Sequence, residues 1–257
     1  MFYLVIGIVS LVASGLTLFS GFGLGTILMP VFAVFFPVEA AIALTALIHL
    51  ANNIFKLFLV GRPVNWPVVL RFGFPAIVAA VAGAYLLTRS QHLPPVAVYE
   101  LMGRAHEVLW IKIIVAGLMV VFALLELAPG LQKIQFERKY LPWGGLLSGF
   151  FGGLSGHQGA LRSAFLIKCG LSKESFIATG VVIACLIDLP RLAVYSVYLR
   201  QMDLNRYGPA LVVAGLSAFL GVYAGSRFVP KVTVRTLQNI VGGMLLAIAL
   251  LLGAGII

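Results

Sequence analysis

Ten apolar runs divide the 257 residues of this chain, at 2–19, 22–36, 40–61, 67–87, 108–127, 143–154, 157–170, 175–198, 208–226 and 236–256. Most are long enough to cross the hydrocarbon core of a bilayer as a helix, which takes about 20 residues. Between them no stretch is long or polar enough to fold as a soluble domain. A bilayer leaves no water for free backbone groups, so the spanning elements must be helices or a closed barrel. Runs of this length predict an all-α, multi-pass membrane protein. The runs at 143–154 and 157–170 are too short to span alone, and 22–36 is marginal. Short, glycine-interrupted pieces of this kind predict broken or re-entrant helices.

The formal net charge is +10. In a soluble protein that balance would point to nucleic acid. Here most basic residues fall in short loops, where they act as topology signals and headgroup contacts. No basic, aromatic strip of a nucleic-acid binder is present. Cys169 and Cys185 both lie in apolar runs, with no CxxC or metal-ligand spacing, and read as packing residues. No cofactor or metal is expected. The first run has no basic n-region and reads as a retained membrane segment rather than a signal peptide.

The chain resembles itself at a spacing of 135 residues. Ser20-Gly21 falls on Ser155-Gly156, Glu39 on Glu174, Lys56-Leu57 on Arg191-Leu192, and Arg71 with Gly73 on Arg206 with Gly208. Each half, 1–130 and 131–257, then holds a hairpin-like pair followed by three longer helices. An odd number of crossings inserts the second half upside down. The predicted fold is therefore an all-α integral membrane protein of two inverted repeats, each a broken or re-entrant pair plus three longer transmembrane helices.

Charge bias predicts the orientation. Arg89, Arg104, Lys112, Arg200 and Arg206 fall on one side. Arg62, Arg71, Lys133, Arg138, Lys139, Lys168, Lys173, Arg227, Lys231 and Arg235 fall on the other. The second side is then cytoplasmic, and both termini face out.

Four polar residues in LIHLANNIFKLFLV form one stripe of an apolar helix: His49, Asn52, Asn53 and Lys56, at i, i+3, i+4 and i+7. Lys56 could instead snorkel to the interface, and the asparagines could bond neighbouring helices. The glycine-rich SGFGLGT at 20–26 could present backbone N–H groups to an anion at a helix N-terminus, or serve as a small-residue packing face. Its counterpart SGHQGALRS supplies His157, Gln158 and Arg162. Asp188 and Arg191 stand at i and i+3 in the following long run, positioned to pair. Lys56, Arg162 and Arg191 against Asp188 leave a surplus of about two positive charges at membrane depth, a setting that calls for an anion. Ionised arginine offers a planar fork matching an oxyanion. The candidate substrate-binding residues are Arg162, His157, Gln158, Lys56, Asn52, Asn53, His49, Arg191, Ser20 and Gly21. His157, His49 and Asp188 are the candidates for proton coupling.

SGFGLGTILMPVF and GGLSGHQGALRSAFLIKCGLSKE resemble the two glycine-rich markers of the TauE/SafE sulfite exporter family. The resemblance extends over nearly the whole chain. It implies a secondary transporter in the plasma or inner membrane, an exporter by usual description, moving sulfite, sulfoacetate or another organosulfonate. Phe22 and Gly23 stand where the second half has His157 and Gln158, so the halves contribute unequally. An anion channel, a membrane enzyme and an assembly subunit are the rival readings. The enzyme is disfavoured because paired carboxylates and a metal box are missing from the sequence. Small-residue faces leave a homodimer open.

Overall fold

The computed structural model describes all residues except 21–22, 61–62, 91–92, 102, 129, 131–134 and 229–233, with backbone only at 18–20, 60, 104, 204, 228 and 234–237. Among the described residues ten α-helices follow in order: α1 Phe2–Ser20, α2 Leu24–Phe35, α3 Val38–Val60, α4 Trp66–Ser90, α5 Trp110–Leu127, α6 Leu141–Ser155, α7 Gly159–Leu166, α8 Lys173–Gln201, α9 Leu204–Phe228 and α10 Val234–Gly253. Each apolar run of the sequence becomes one helix. Five of the helices are long and apolar enough to cross a membrane: α3, α4, α5, α8 and α9. Apolar pieces of α1, α2 and α10 are shorter.

The helices associate in pairs: α1 on α9, α4 on α6, α5 on α10, and α3 on α8 through the middle. Between helices in lipid, close backbone approach replaces the hydrophobic effect as the main source of attraction. The sequence meets that need with glycine and alanine at spacings of four. Gly145, Gly149 and Gly153 on α6 lie so close to α4 that a Cβ on any of them would overlap the carbonyl of Phe72, Ala76 or Ala80. On the other pair, Gly221 of α9 lies in the same way against the Leu11 carbonyl of α1. The matching alanines, Ala76, Ala80 and Ala84 on α4 and Ala210, Ala214 and Ala218 on α9, are all fully buried.

Two helix ends fall at glycines with positive φ. α6 ends at Gly156, which takes φ +81°, and α7 starts three residues later. α2 starts after Gly23, at φ +116°. Both values lie in the left-handed region that glycine enters without a Cβ penalty.

The sequence reading contained no strand, yet residues 97–108 form a small antiparallel hairpin, β1 Ala97–Leu101 and β2 Arg104–Val108. It joins α4 to α5 and is tied to the end of α10. Tyr99 Oη donates to Ala254 O at 2.5 Å, and the Tyr99 and His106 rings stack.

Candidate functional site

The start of α2 and the end of α6 meet beside His49 of α3. A methyl group on Gly25 of α2 would touch Gly156 O at 3.4 Å and His49 Cδ2 at 3.5 Å. Glycine lets the start of α2 lie directly against the end of α6, with the polar stripe of α3 beside both.

Every described side chain of the candidate set is buried. His49, Asn52, Asn53 and Lys56 are on α3, and Asp188 and Arg191 on α8. His157 and Gln158 are in the break, and Arg162 is on α7. Ser20 is the last residue of α1, where only the backbone is described, and Gly21 lies outside the described residues.

A continuous hydrogen-bonded network runs through the middle of this group. Asp188 Oδ2 contacts His49 Nδ1 at 2.6 Å. Asp188 Oδ1 accepts from Gln158 Nε2 at 2.8 Å, and from Arg191 Nε at 3.0 Å and Nη2 at 2.7 Å. Arg191 also donates through Nη1 to Gly152 O at 2.8 Å, which ties α8 to the end of α6. Gln158 Oε1 accepts from Arg162 Nη1 at 3.1 Å, and Ser148 Oγ holds the Gln158 carbonyl at 2.8 Å. Asn53 Nδ2 lies 3.1 Å and 3.3 Å from the two ring nitrogens of His49. The Asp188–Arg191 pair expected from the i, i+3 spacing is thus present, and His49 and Gln158 add two partners from other elements.

Proline sets the local course of α8. Pro190 brings no N–H, so the Leu186 carbonyl lacks its helical donor, and the helix continues between Asp188 and Arg191.

The charges do not cancel within the group. Three cations, Lys56, Arg162 and Arg191, are buried around one carboxylate, Asp188. Lys56 lies within electrostatic reach of Arg162, and no carboxylate among the described residues forms an ion pair with it. Gly180 of α8 leaves room for the Arg162 guanidinium, with its Cβ position 3.6 Å from Nε.

Four residues of this region are absent from the sequence-based set. Phe122 of α5 stacks on His157, with centroids 5.2 Å apart and planes at 10°. Ser14 of α1 donates to Asn52 Oδ1 at 3.0 Å. Tyr195 of α8 donates to the Gly153 carbonyl. Glu126, one turn beyond Phe122 on α5, is a second buried carboxylate and is bonded by Gln238 of α10. A phenylalanine or serine in an apolar helix carries no sequence signal of such a role. Glu126 could have been found, because a lone carboxylate in an apolar run is rare.

Among the described residues, two buried polar atoms of the site are without a hydrogen-bond partner, Asn52 Nδ2 and His157 Nε2. No group of three or more histidine, cysteine or acidic side chains suited to a metal occurs among the described residues.

The family model for the sulfite exporter TauE/SafE matches residues 6–252. The chain belongs to the TauE/SafE family. Membership places it among membrane-spanning permeases for sulfur-containing anions, a class of transporters rather than enzymes, and the five long apolar helices agree with a multi-pass membrane protein. No curated protein and no solved structure shows detectable similarity to the chain.

Proposed function

We propose that this protein is a secondary transporter that exports a sulfur oxyanion, sulfite or an organosulfonate such as sulfoacetate, by alternating access. The observation that carries the reading is the charge count at the crossing, three buried cations around Asp188, with the other buried carboxylate, Glu126, bonded by Gln238 instead. A buried positive surplus is costly without an anion and favourable with one. Arg162 and Lys56 supply the charge that meets the ligand. Asn52 and His157 supply hydrogen bonds, and Ser20 and Gly21 join them on the sequence pattern alone. Arg191, Asp188, Gln158, His49 and Asn53 hold one another and fix the geometry of the rest.

Two inverted repeats, 1–130 and 131–257, account for the pairing of helices. Exchanging α1–α5 with α6–α10 turns the α1·α9 pair into α6·α4, and leaves α3·α8 and α5·α10 unchanged. The buried faces support the same exchange. Phe72, Ala76 and Ala80 on α4 correspond to Ala210, Ala214 and Ala218 on α9 (72 to 210, 76 to 214, 80 to 218), all fully buried. That spacing is three residues longer than the one matching Arg71 to Arg206. Within α4 and α9 the two registers are alternatives, and the buried faces follow the longer one.

The protein sits in the plasma or inner membrane with both termini outside, by the excess of arginine and lysine on the opposite side. Transport is coupled to protons through His157, His49 and Asp188. The 2.6 Å contact between His49 and Asp188 supports this, since a proton there is shared between groups on the two halves.

The test is uptake and binding in proteoliposomes. Saturable flux of sulfite or sulfoacetate that Arg162→Ala removes, with a matching pH change in the lumen, is the expected result. Flux linear in substrate and without a pH change would mean a channel. No flux and no binding with folded protein would remove the transport reading.

A further inference from the structure

Every carboxylate side chain of this protein has a place in the structure, and their placement sets the charge of the ligand. The chain has 8 acidic residues, and all of them lie within the described residues. Glu100 and Glu107 stand on the hairpin, and Glu137 pairs with Lys139 at the surface. Asp203, between α8 and α9, is exposed and accepts from Asn205 N. Glu39 and Glu174 lie in the first turns of α3 and α8, about 15 Å before His49 and about 21 Å before Asp188 at 1.5 Å per residue. Glu126 is buried on α5, where Gln238 of α10 bonds it. Arg162 has Asp188 as its electrostatic neighbour, and neither Arg162 nor Lys56 has Glu126. Asp188 is the carboxylate of the crossing.

Three buried cations surround it. Arg191 is fully engaged, with Nε and Nη2 on Asp188 and Nη1 on the Gly152 carbonyl. The charges of that pair cancel. By number, Arg162 and Lys56 are left over, and Lys56 lies within electrostatic reach of Arg162. Gln158 holds Arg162 through a neutral amide oxygen, which fixes the guanidinium without taking up its charge. A proton on either histidine can only enlarge the surplus. Two neighbouring like charges repel strongly in a low-dielectric interior, and a single negative charge leaves one of them uncompensated. Asn52 stands one turn before Lys56 on the same stripe of α3. Whichever way its amide is turned, one end meets Ser14 and the other is without a partner among the described residues. It offers the ligand a polar contact beside the ammonium group.

We infer that the transported ligand is a dianion, with one negative charge for Arg162 and one for Lys56, and that the site discriminates against monoanions of the same shape. The chemistry is a sulfur oxyanion with two negative charges. Both sit on one sulfur group in the sulfite dianion, and they are divided between a sulfonate and a carboxylate in sulfoacetate. Hydrogensulfite and plain alkanesulfonates carry one charge and leave a buried cation uncompensated. Lys56 sets the preference, because Arg162 alone matches a single anionic group. This inference rests on the anion site proposed above.

The experiment is calorimetric binding to the purified full-length protein at fixed ionic strength in mildly alkaline buffer, where dissolved sulfite is largely the dianion. Two matched pairs of probes separate charge from shape: sulfoacetate against 2-sulfoacetamide, and sulfite against methanesulfonate. At least one dianion is expected to bind about ten- to a hundredfold more tightly than its monoanionic partner. A preference within the first pair identifies a ligand with a sulfonate and a carboxylate, and within the second an inorganic one. Lys56→Met should bring the dianion down to the affinity of its partner. A gap that survives Lys56→Met would overturn the assignment of the second charge to Lys56. Equal binding within both pairs, with Arg162→Ala abolishing it, would overturn the dianion requirement and leave the anion site standing. No binding of any probe would overturn both. The comparison of paired probes on wild-type protein needs no variant, so it decides the charge requirement even where a variant fails to fold.

Discussion

Asp188 of α8 and His49 of α3 meet at 2.6 Å, carboxylate Oδ2 to imidazole Nδ1, at the crossing of the two central helices. The second oxygen of the same carboxylate takes Arg191 and Gln158. One side chain therefore joins α3, α8 and the break before α7. Replacing it with asparagine keeps the size and removes the charge that faces Arg191. Losing one partner of a buried ion pair costs about 3–5 kcal/mol. Asp188→Asn is expected to lower the thermal unfolding temperature in detergent markedly, read by tryptophan fluorescence. The double variant Asp188→Leu with Arg191→Met should recover part of the loss, because no buried charge is then left alone. A single variant melting with wild type would show that the carboxylate does not hold the crossing.

How much of this was legible in the sequence differs by level. The helices were, because run length and glycine breaks are one-dimensional signals that the bilayer enforces. The i, i+3 pair of Asp188 and Arg191 was legible for the same reason, since a helix makes neighbours of such residues. The partners from other elements were not. That Gln158 and His49 converge on Asp188 depends on how α3 crosses α8, which no local pattern encodes. The hairpin at 97–108 was missed because five-residue strands with mixed polarity carry little periodic signal between two long helices. Phe122 is one more apolar residue in α5 until the His157 ring is placed against it.

The contact between α4 and α6 predicts a sharp contrast between two glycines. A Cβ on Gly149 would overlap the Ala76 carbonyl, whereas a Cβ on Gly117 of α5 would meet nothing within 4 Å. Gly149→Ala must push two backbones apart, and overpacking of this kind costs about 1–3 kcal/mol. Gly117→Ala replaces glycine in an unobstructed helix and should stabilise by up to about 1 kcal/mol. Thermal unfolding of the two variants side by side checks both signs. The same temperature shift in both would count against the close α4–α6 approach.

The hairpin holds the end of α10 through two side chains, Tyr99 Oη to Ala254 O at 2.5 Å and His106 Nδ1 with Gly255 O at 3.3 Å. Ala254 follows directly on a helix end, where carbonyls have no intrahelical donor. Tyr99→Phe keeps the ring stacked on His106 and removes only that donor, at a cost of about 0.5–1.5 kcal/mol. Faster amide exchange is expected at 97–108 and at 252–257, with exchange in α3 and α8 unchanged. Exchange that rises evenly across the chain would instead mean that the tether supports the whole fold.

Lys56 separates a structural role from a functional one most cleanly. It is 5% exposed, it forms no ion pair among the described residues, and it lies within electrostatic reach of Arg162. A lysine that only packs would be replaced by methionine of similar length without any effect on ligands. A lysine that faces an anion gives a different pair of results. Lys56→Met removes a costly buried charge, so the ligand-free protein should unfold at the same temperature as wild type or higher. The bound anion loses a charge-assisted contact worth about 1.5–3 kcal/mol, so affinity should fall by roughly ten- to a hundredfold. The stabilisation that saturating ligand gives to wild type should shrink accordingly. Measuring unfolding temperature with and without sulfoacetate or sulfite, for both proteins, reads the two effects in one experiment. Unchanged ligand stabilisation in Lys56→Met would remove Lys56 from the site and leave Arg162 as the charge that meets the anion.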